Sequence, residues 1–208
     1  DPRLPAVGTF AAYVGNDTRV GRNWELVAQT EFRVASNVTL QLSADNYEVR
    51  RQFAWVTNRT SADDPSLAPN QTHPIFAERS ISQWDLVSRG SFVFARDFTL
   101  QYYFQVFFAK GKFENTRRMV SSDTFVPYTS LPGISPDPPN FTTLSFNSNL
   151  VLRWEYMPGS TAYLVWSQAR MGYAGDYATP FVDNVSNTFG LPASNVFLLK
   201  VSYWFSFR

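Results

Sequence analysis

His73 is the only histidine in the chain and sits in Asn70-Gln-Thr-His-Pro74. An imidazole is the side chain best suited to moving a proton near neutral pH. Hydrolysis at a membrane rim, as in serine phospholipases or Asp/His proteases, also needs a nucleophile or a second acid/base group within hydrogen-bond reach. No such constellation accompanies His73, and a lone histidine in a Pro- and Asp-containing loop reads as a solvated surface residue. Asp63 and Asp64, in the same loop, bring two carboxylates but no defined ligand spacing. They read as turn residues and not as a cation site. Gly172-Tyr-Ala-Gly-Asp-Tyr177 lacks the following helix and the Lys-Ser/Thr pair of a phosphate cradle, and reads as a mobile loop. Asn-x-Ser/Thr triplets at Asn16, Asn37, Asn58, Asn70, Asn140 and Asn184 matter only in a eukaryotic secretory route, and mostly mark turns. The expectation is a non-enzymatic protein without catalytic residues, metal or cofactor.

The charges that invite a functional reading are Glu25, Glu31, Arg33, Asp85, Arg89, Arg153, Glu155 and Lys200. Each alternates with apolar neighbours at a period of two, which places it on one face of a strand. Both signs are present, so cross-strand ion pairs are expected. In a closed barrel of eight strands such a set fills the interior; in a larger barrel it becomes a polar pore wall.

These residues need strands to position them, and the composition suits strands. Phe, Tyr and Trp make up 17% of the 208 residues, Cys is absent and the net charge is +1. Absent cysteine excludes a disulfide framework and a thiolate metal site. The balanced charge gives no reason to expect nucleic acid. No run of 18 apolar residues occurs, which excludes a membrane-spanning helix but not a barrel, whose strands need only about 9–11 residues each.

Period-two patterning predicts eight strands, at 6–16, 23–35, 38–56, 75–95, 98–113, 141–156, 161–171 and 195–207, and no convincing helix. Tight turns are expected at Ala35-Ser36-Asn37, Ala95-Arg96-Asp97 and Met157-Pro158-Gly159-Ser160. Longer polar loops are expected at 17–22, 57–74, 114–140 and 172–194. Short turns at one end and long loops at the other are the periplasmic and extracellular ends of an outer-membrane barrel.

The faces agree. Trp24, Leu26, Ala28, Thr30, Phe32 and Val34 oppose Glu25, Gln29, Glu31 and Arg33; Leu100, Tyr102, Phe104, Val106 and Phe108 oppose Gln101, Tyr103 and Gln105. In the last strand Phe197, Leu199, Val201, Tyr203, Phe205 and Phe207 oppose Lys200, Ser202, Trp204 and Ser206. Only the seventh strand is ambiguous, since Tyr163/Val165 and Leu164/Trp166 are equally apolar. Trp24, Trp84, Phe94, Trp154, Tyr156, Tyr203, Phe205 and Phe207 are expected on the lipid side, several of them near strand ends where amphipathic rings form girdles. A soluble sandwich or a lipocalin-like ligand-binding barrel also alternates. It is disfavoured because the polar faces mix Glu, Asp, Arg, Gln and Asn without the dense Lys and Glu of a solvated surface.

Three strings resemble a known family. They are Phe98-Thr-Leu-Gln-Tyr-Tyr-Phe-Gln-Val-Phe, Asn149-Leu-Val-Leu-Arg-Trp-Glu-Tyr-Met-Pro-Gly-Ser-Thr-Ala-Tyr-Leu-Val-Trp-Ser-Gln168 and Asn195-Val-Phe-Leu-Leu-Lys-Val-Ser-Tyr-Trp-Phe. They are similar to the C-terminal outer-membrane β-barrel of a bacterial family of unknown function whose members carry an N-terminal domain like family-nine carbohydrate-binding modules. The likeness is strongest from Gln83 onward. It implies that residues 1–208 are a single transmembrane domain or the C-terminal part of a larger barrel, and it leaves open a processed leader before Asp1. It also implies a bacterial outer-membrane location, with membrane lipid and the barrel-assembly machinery as partners and a carbohydrate-related or other small ligand. Some members have been labelled membrane-associated hydrolases, but no catalytic motif carries across. The chain ends Phe207-Arg208, a departure from an assembly signal that finishes on its aromatic. Loops 122–128 and 172–187, rich in Tyr, Phe, Asn and Asp, have a composition that suits contact with sugars.

Overall fold

The computed structural model describes residues 4–17, 21–130, 132–133, 136–173 and 176–206. Aromatic and β-branched residues at alternate positions build one antiparallel sheet from β1 (Ala6–Asp17), β2 (Gly21–Ala35), β3 (Val38–Arg59), β4 (His73–Ala95), β5 (Phe98–Ser121), β6 (Thr124–Pro127), β7 (Phe141–Met157), β8 (Ser160–Tyr173) and β9 (Ser194–Ser202). The order is β1-β2-β3-β4-β5-β7-β8-β9, each strand beside its sequence neighbour, with β6 folding back on the outer end of β5. This is an all-β up-and-down meander. The sheet is open, with β1 and β9 as its edges, where the sequence predicts a closed barrel.

Three hairpins share one construction. Two-residue turns at Ser36-Asn37, Arg96-Asp97 and Pro158-Gly159 join β2 to β3, β4 to β5 and β7 to β8. A one-residue register shift precedes each turn, between Arg33 and Ala35, Val93 and Ala95, and Glu155 and Met157. Such bulges increase the local twist and pin register. Gly159 has φ +77°, a conformation that glycine adopts without a Cβ penalty. Neighbouring turns are tied together, since Val93 N donates to Asn37 O (2.8 Å) and Glu155 N donates to Asp97 O (2.8 Å).

The register fixes the faces. Even-numbered residues of β2, β3, β4, β5, β7 and β8 share one side, and pairing of Leu164 with Leu152 and Trp166 with Leu150 resolves the seventh predicted strand in favour of Leu164/Trp166. From Phe94, Phe98 and Trp154 beside the short turns, the even side runs ten residues up β4, β5 and β7 to Trp84, Phe108 and Leu144, a register row that continues through Asn46 to Leu26. At about 3.4 Å per residue and a tilt of about 45°, ten residues span a height of roughly 24 Å. Within that band Arg170 is the only charged even-side residue among the described residues. Immediately above it on the same side come Glu48, Arg50, Lys110 and Lys112, with Glu48 paired to Arg50 (3.0 Å) and Lys112 to Glu114 (2.9 Å). Gly90 lies inside the band because its partner Tyr102 occupies the space: a Cβ at position 90 would approach the ring to 2.1 Å.

Several expectations are corrected here. β5 continues to Ser121 and pairs with β6, so the predicted loop 114–140 begins as a hairpin extension. β9 ends at Ser202, short of the predicted strand, although Tyr203 and Phe205 still stack (6.1 Å). The largest difference is a helix, α1 (Phe181–Gly190), inside the predicted polar loop 172–194. Its sequence, Phe-Val-Asp-Asn-Val-Ser-Asn-Thr-Phe-Gly, contains none of the strong helix formers and Pro180 provides no side-chain cap. Its stability comes from docking. Phe181 packs edge-on against Trp84 (5.0 Å) and Phe108 (5.4 Å), and Phe189 lies 5.1 Å from Phe146. Phe108, Leu144 and Phe146 are thereby buried.

Candidate functional site

The odd-numbered side of the sheet gathers the polar residues. One register row crosses all eight strands of the meander: Val7, Glu31, Gln41, Arg89, Tyr103, Asn149, Ser167 and Val196. Strand pairing alone aligns these side chains, because the two-residue turns lock each register. Gln41 Nε2 donates to Glu31 Oε2 (3.0 Å), the Arg89 guanidinium lies 5.1 Å over the Tyr103 ring, and Ser167 Oγ donates to Asn149 Oδ1 (2.5 Å). Four residues further from the turns, Asp45 and Asp85 stand directly opposite each other. Gln105 Nε2 donates to both Asp85 carboxylate oxygens (2.9 and 3.0 Å). Gln29, Gln41, Asp45, Asp85 and Arg89 line a groove of about 240 Å³.

All eight charges singled out in the sequence stand on this side, Lys200 because β9 pairs even residues with odd residues of β8, but they are spread along it. Glu31, Arg33, Asp85 and Arg89 lie near the central row. Glu25 sits higher, opposite Tyr47, while Arg153, Glu155 and Lys200 occupy the short-turn end of the far strands, Arg153 and Lys200 both flanking Tyr163. The expected cross-strand ion pairs are replaced by pairs two residues apart within a strand, Arg33–Glu31 (3.2 Å) and Arg153–Glu155 (2.9 Å). Bonds between strands here come from the amides of Gln41 and Gln105 and from the Ser167 hydroxyl. Same-strand neighbours at this spacing are always on one face, whereas across strands Arg89 faces the neutral Gln41 and Tyr103 and Asp85 faces a like charge, Asp45. Gln41 and Asp45 were not singled out in the sequence; the Ser36-Asn37 turn, which pairs odd residues of β2 with odd residues of β3, was the signal that could have found them.

The girdle residues divide. Trp154 and Phe94 are exposed near the short turns, and Tyr203 and Phe205 are exposed beyond β9. Trp24 carries the Arg50 guanidinium 5.6 Å over its ring. Tyr156 is half-buried and donates to Ser202 O (2.9 Å). Trp84 is covered by Phe181 of α1. Phe207 lies outside the described residues, as does Arg208.

His73, expected as a solvated loop residue, is instead the buried first residue of β4. His73 is 5% exposed, with Nδ1 3.3 Å from Arg118 Nη1. Asp63 and Asp64 are turn residues, as their sequence suggested. Asp63 Oδ2 accepts from Thr60 N (2.8 Å) and Oγ1 (3.0 Å), and these bonds hold its carboxyl below the usual carboxylate range. The fully buried Asp64 accepts from Ser66 N (3.0 Å), Ser66 Oγ (2.8 Å) and the Tyr128 hydroxyl. Burial, reinforced by that bond, raises the Tyr128 phenol above its ordinary value, and the opposing influence is Arg59. With Leu67 and Ile75, Tyr128 closes a small core. No group of three or more metal-ligating side chains occurs among the described residues.

Neither the curated proteins nor the solved structures contain a match to this chain. A family model does match, over residues 6–208, and the chain belongs to the family described as "Domain of unknown function (DUF5916)".

Proposed function

We propose that the chain forms a transmembrane β-barrel wall in a bacterial outer membrane, and that its odd face lines a polar lumen used for passage or binding of small polar ligands without catalysis. The observation that carries this reading is the even-side band: it has one height on β4, β5 and β7, and that height approximates the ~25 Å apolar girdle of such barrels. A soluble sheet would have no reason to end its apolar surface in one register row, at Trp84, Phe108 and Leu144, and then switch to Glu48, Arg50, Lys110 and Lys112. Exposed edges point the same way. β9 presents Phe197, Leu199 and Val201 to its surroundings, and an apolar edge of this kind invites pairing unless the sheet closes. Closure by β1 and β9, directly or through further strands of a longer chain, is part of the proposal.

A carbohydrate-related ligand follows only from the family resemblance; the groove between Gln29, Gln41, Asp45, Asp85 and Arg89 offers the amides and carboxylates that a polyhydroxylated ligand would need. The test is fractionation of the full-length protein from cell envelopes. Retention in the outer-membrane pellet after carbonate extraction, with faster gel migration when unheated, is expected. A carbonate-soluble monomer with heat-independent migration would favour the soluble ligand-binding barrel and defeat the proposal.

A further inference from the structure

We infer that α1 is an in-plane membrane contact, resting in the boundary between acyl chains and headgroups of the outer leaflet; the inference rests on the reading of the even side as lipid-facing. The helix crosses the even side at the level where Phe108, Leu144 and Phe146 give way to Lys110 and Thr142. Its burial is inverted relative to a core helix. Asn184 and Thr188 are fully buried, whereas Val182 is 71% and Phe189 48% exposed. Thr188 Oγ1 donates to Asn184 O (2.8 Å) and Asn184 Nδ2 to Thr179 O (3.2 Å), which bonds two of the buried polar groups within the segment, while Asn184 Oδ1 is buried without a hydrogen-bond partner. At 100° per residue, Val182, Val185 and Phe189 fall within roughly 60° of one another. Ser186 borders them, about 40° from Val182, and Asp183 and Asn187 lie further round the exposed side.

Two cations clamp the helix in this orientation. Lys110 Nζ donates to Thr179 O (2.7 Å) ahead of its N-terminus, and Arg170 Nη1 donates to Phe189 O (2.6 Å) and Leu191 O (2.6 Å) at its C-terminus. Arg170 is the one charge within the apolar band, and a charge facing lipid there is costly. The C-terminal carbonyls and the negative end of the helix dipole accept it. The clamp thus solves the problem of Arg170 while fixing which side of α1 faces outward. The exposed Val182 and Phe189, with the half-buried Val185 beside them, continue the band formed by Val106, Phe146 and Trp166, and an amphipathic helix that shows an apolar and a polar edge side by side suits an interface plane. Continuity with that band identifies lipid as the occupant in preference to a second copy of the chain.

The chain contains no cysteine, so single-cysteine variants of the full-length protein can carry an environment-sensitive fluorophore. Labels at Val182→Cys, Asp183→Cys and Leu150→Cys are compared in phosphatidylethanolamine/phosphatidylglycerol vesicles containing nitroxide lipids with shallow and deep labels. The inference predicts several-fold stronger quenching at position 182 than at 183, by the shallow nitroxide, with position 150 quenched by the deep one. Equal weak quenching at 182 and 183 with position 150 still quenched overturns the inference while leaving the barrel reading standing. Absence of quenching at all three positions overturns both. Energy transfer between copies labelled at 182 that persists on dilution into excess lipid identifies a second copy as the occupant and also overturns it.

Discussion

The outer ends of the sheet's two sides are closed by different kinds of cover. Loop 60–72 folds over the odd side, where β4 buries His73, Ile75 and Ala77, and its centre is a buried carboxylate, Asp64, bonded to a serine and a tyrosine. α1 folds over the even side, held by aromatic contacts and two cationic clamps, and leaves valines and a phenylalanine facing outward. Outward, the cover of the polar side shows Asp63 and Pro65, and that of the apolar side shows Val182 and Phe189 beside Asp183, Ser186 and Asn187. The exposed apolar pair has no counterpart on loop 60–72, a difference that the proposed position between lipid and water accounts for.

The strongest way to break the comparison is Asp64→Ala. It removes the acceptor of Ser66 and Tyr128 and leaves a buried hydroxyl without its partner, at a local cost of about 3 kcal/mol. Proteolysis within 60–72 should accelerate, while hydrogen exchange in α1 stays unchanged; coupled loosening of α1 would show that the covers are one unit. Arg170→Met tests the other side, releasing the carbonyls of Phe189 and Leu191 at about 2 kcal/mol. Faster exchange at 181–190 is expected, with loop 60–72 unaffected. Gly90→Ala, midway between the short turns and α1, forces the Tyr102 ring to move and costs about 1–2 kcal/mol in the thermal midpoint, with neither cover opening.

The smallest expected effect is that of pH. The Asp63 carboxyl has a folded pKa below its unfolded value, so its contribution is present above the unfolded value and is lost as pH falls through the folded one. Acid therefore loosens loop 60–72. Burial raises the Tyr177 phenol beside α1, with Arg50 and Lys112 opposing the rise and Glu48 and Glu114 adding to it. Its contribution is complete below the unfolded value near 10 and is lost as pH rises through the folded one. Alkali therefore loosens the segment before α1. Proteolysis at acid pH that cuts near α1 before 60–72 would contradict this assignment.

The strands and their faces were legible because alternation over ten residues is a strong local signal, and the three short turns fixed register, hence Glu31 beside Gln41 and Arg89 beside Tyr103. α1 was not legible, since Val182, Val185 and Phe189 sit among Asn, Ser, Thr and Asp residues that favour loops, and its partners Trp84, Phe108, Phe146 and Arg170 come from distant strands. His73 was misread for the same reason: Arg118 and the Leu67–Ile75–Tyr128 core meet only after folding. Within the polar side, period-two spacing shows which charges share a face, but the bonds that connect strands use Gln41, Gln105 and Ser167, which carry no charge to attract notice.

The central claim is that consecutive residues of one strand meet lipid and water alternately. Spin labels at Leu150→Cys and Asn149→Cys, with Leu100→Cys and Gln101→Cys as a second pair, measure it directly in bilayers through relaxation by oxygen and by a water-soluble nickel chelate. Oxygen should dominate at positions 150 and 100 and the chelate at 149 and 101. Equal chelate access at all four positions, or the reverse alternation, would contradict the account.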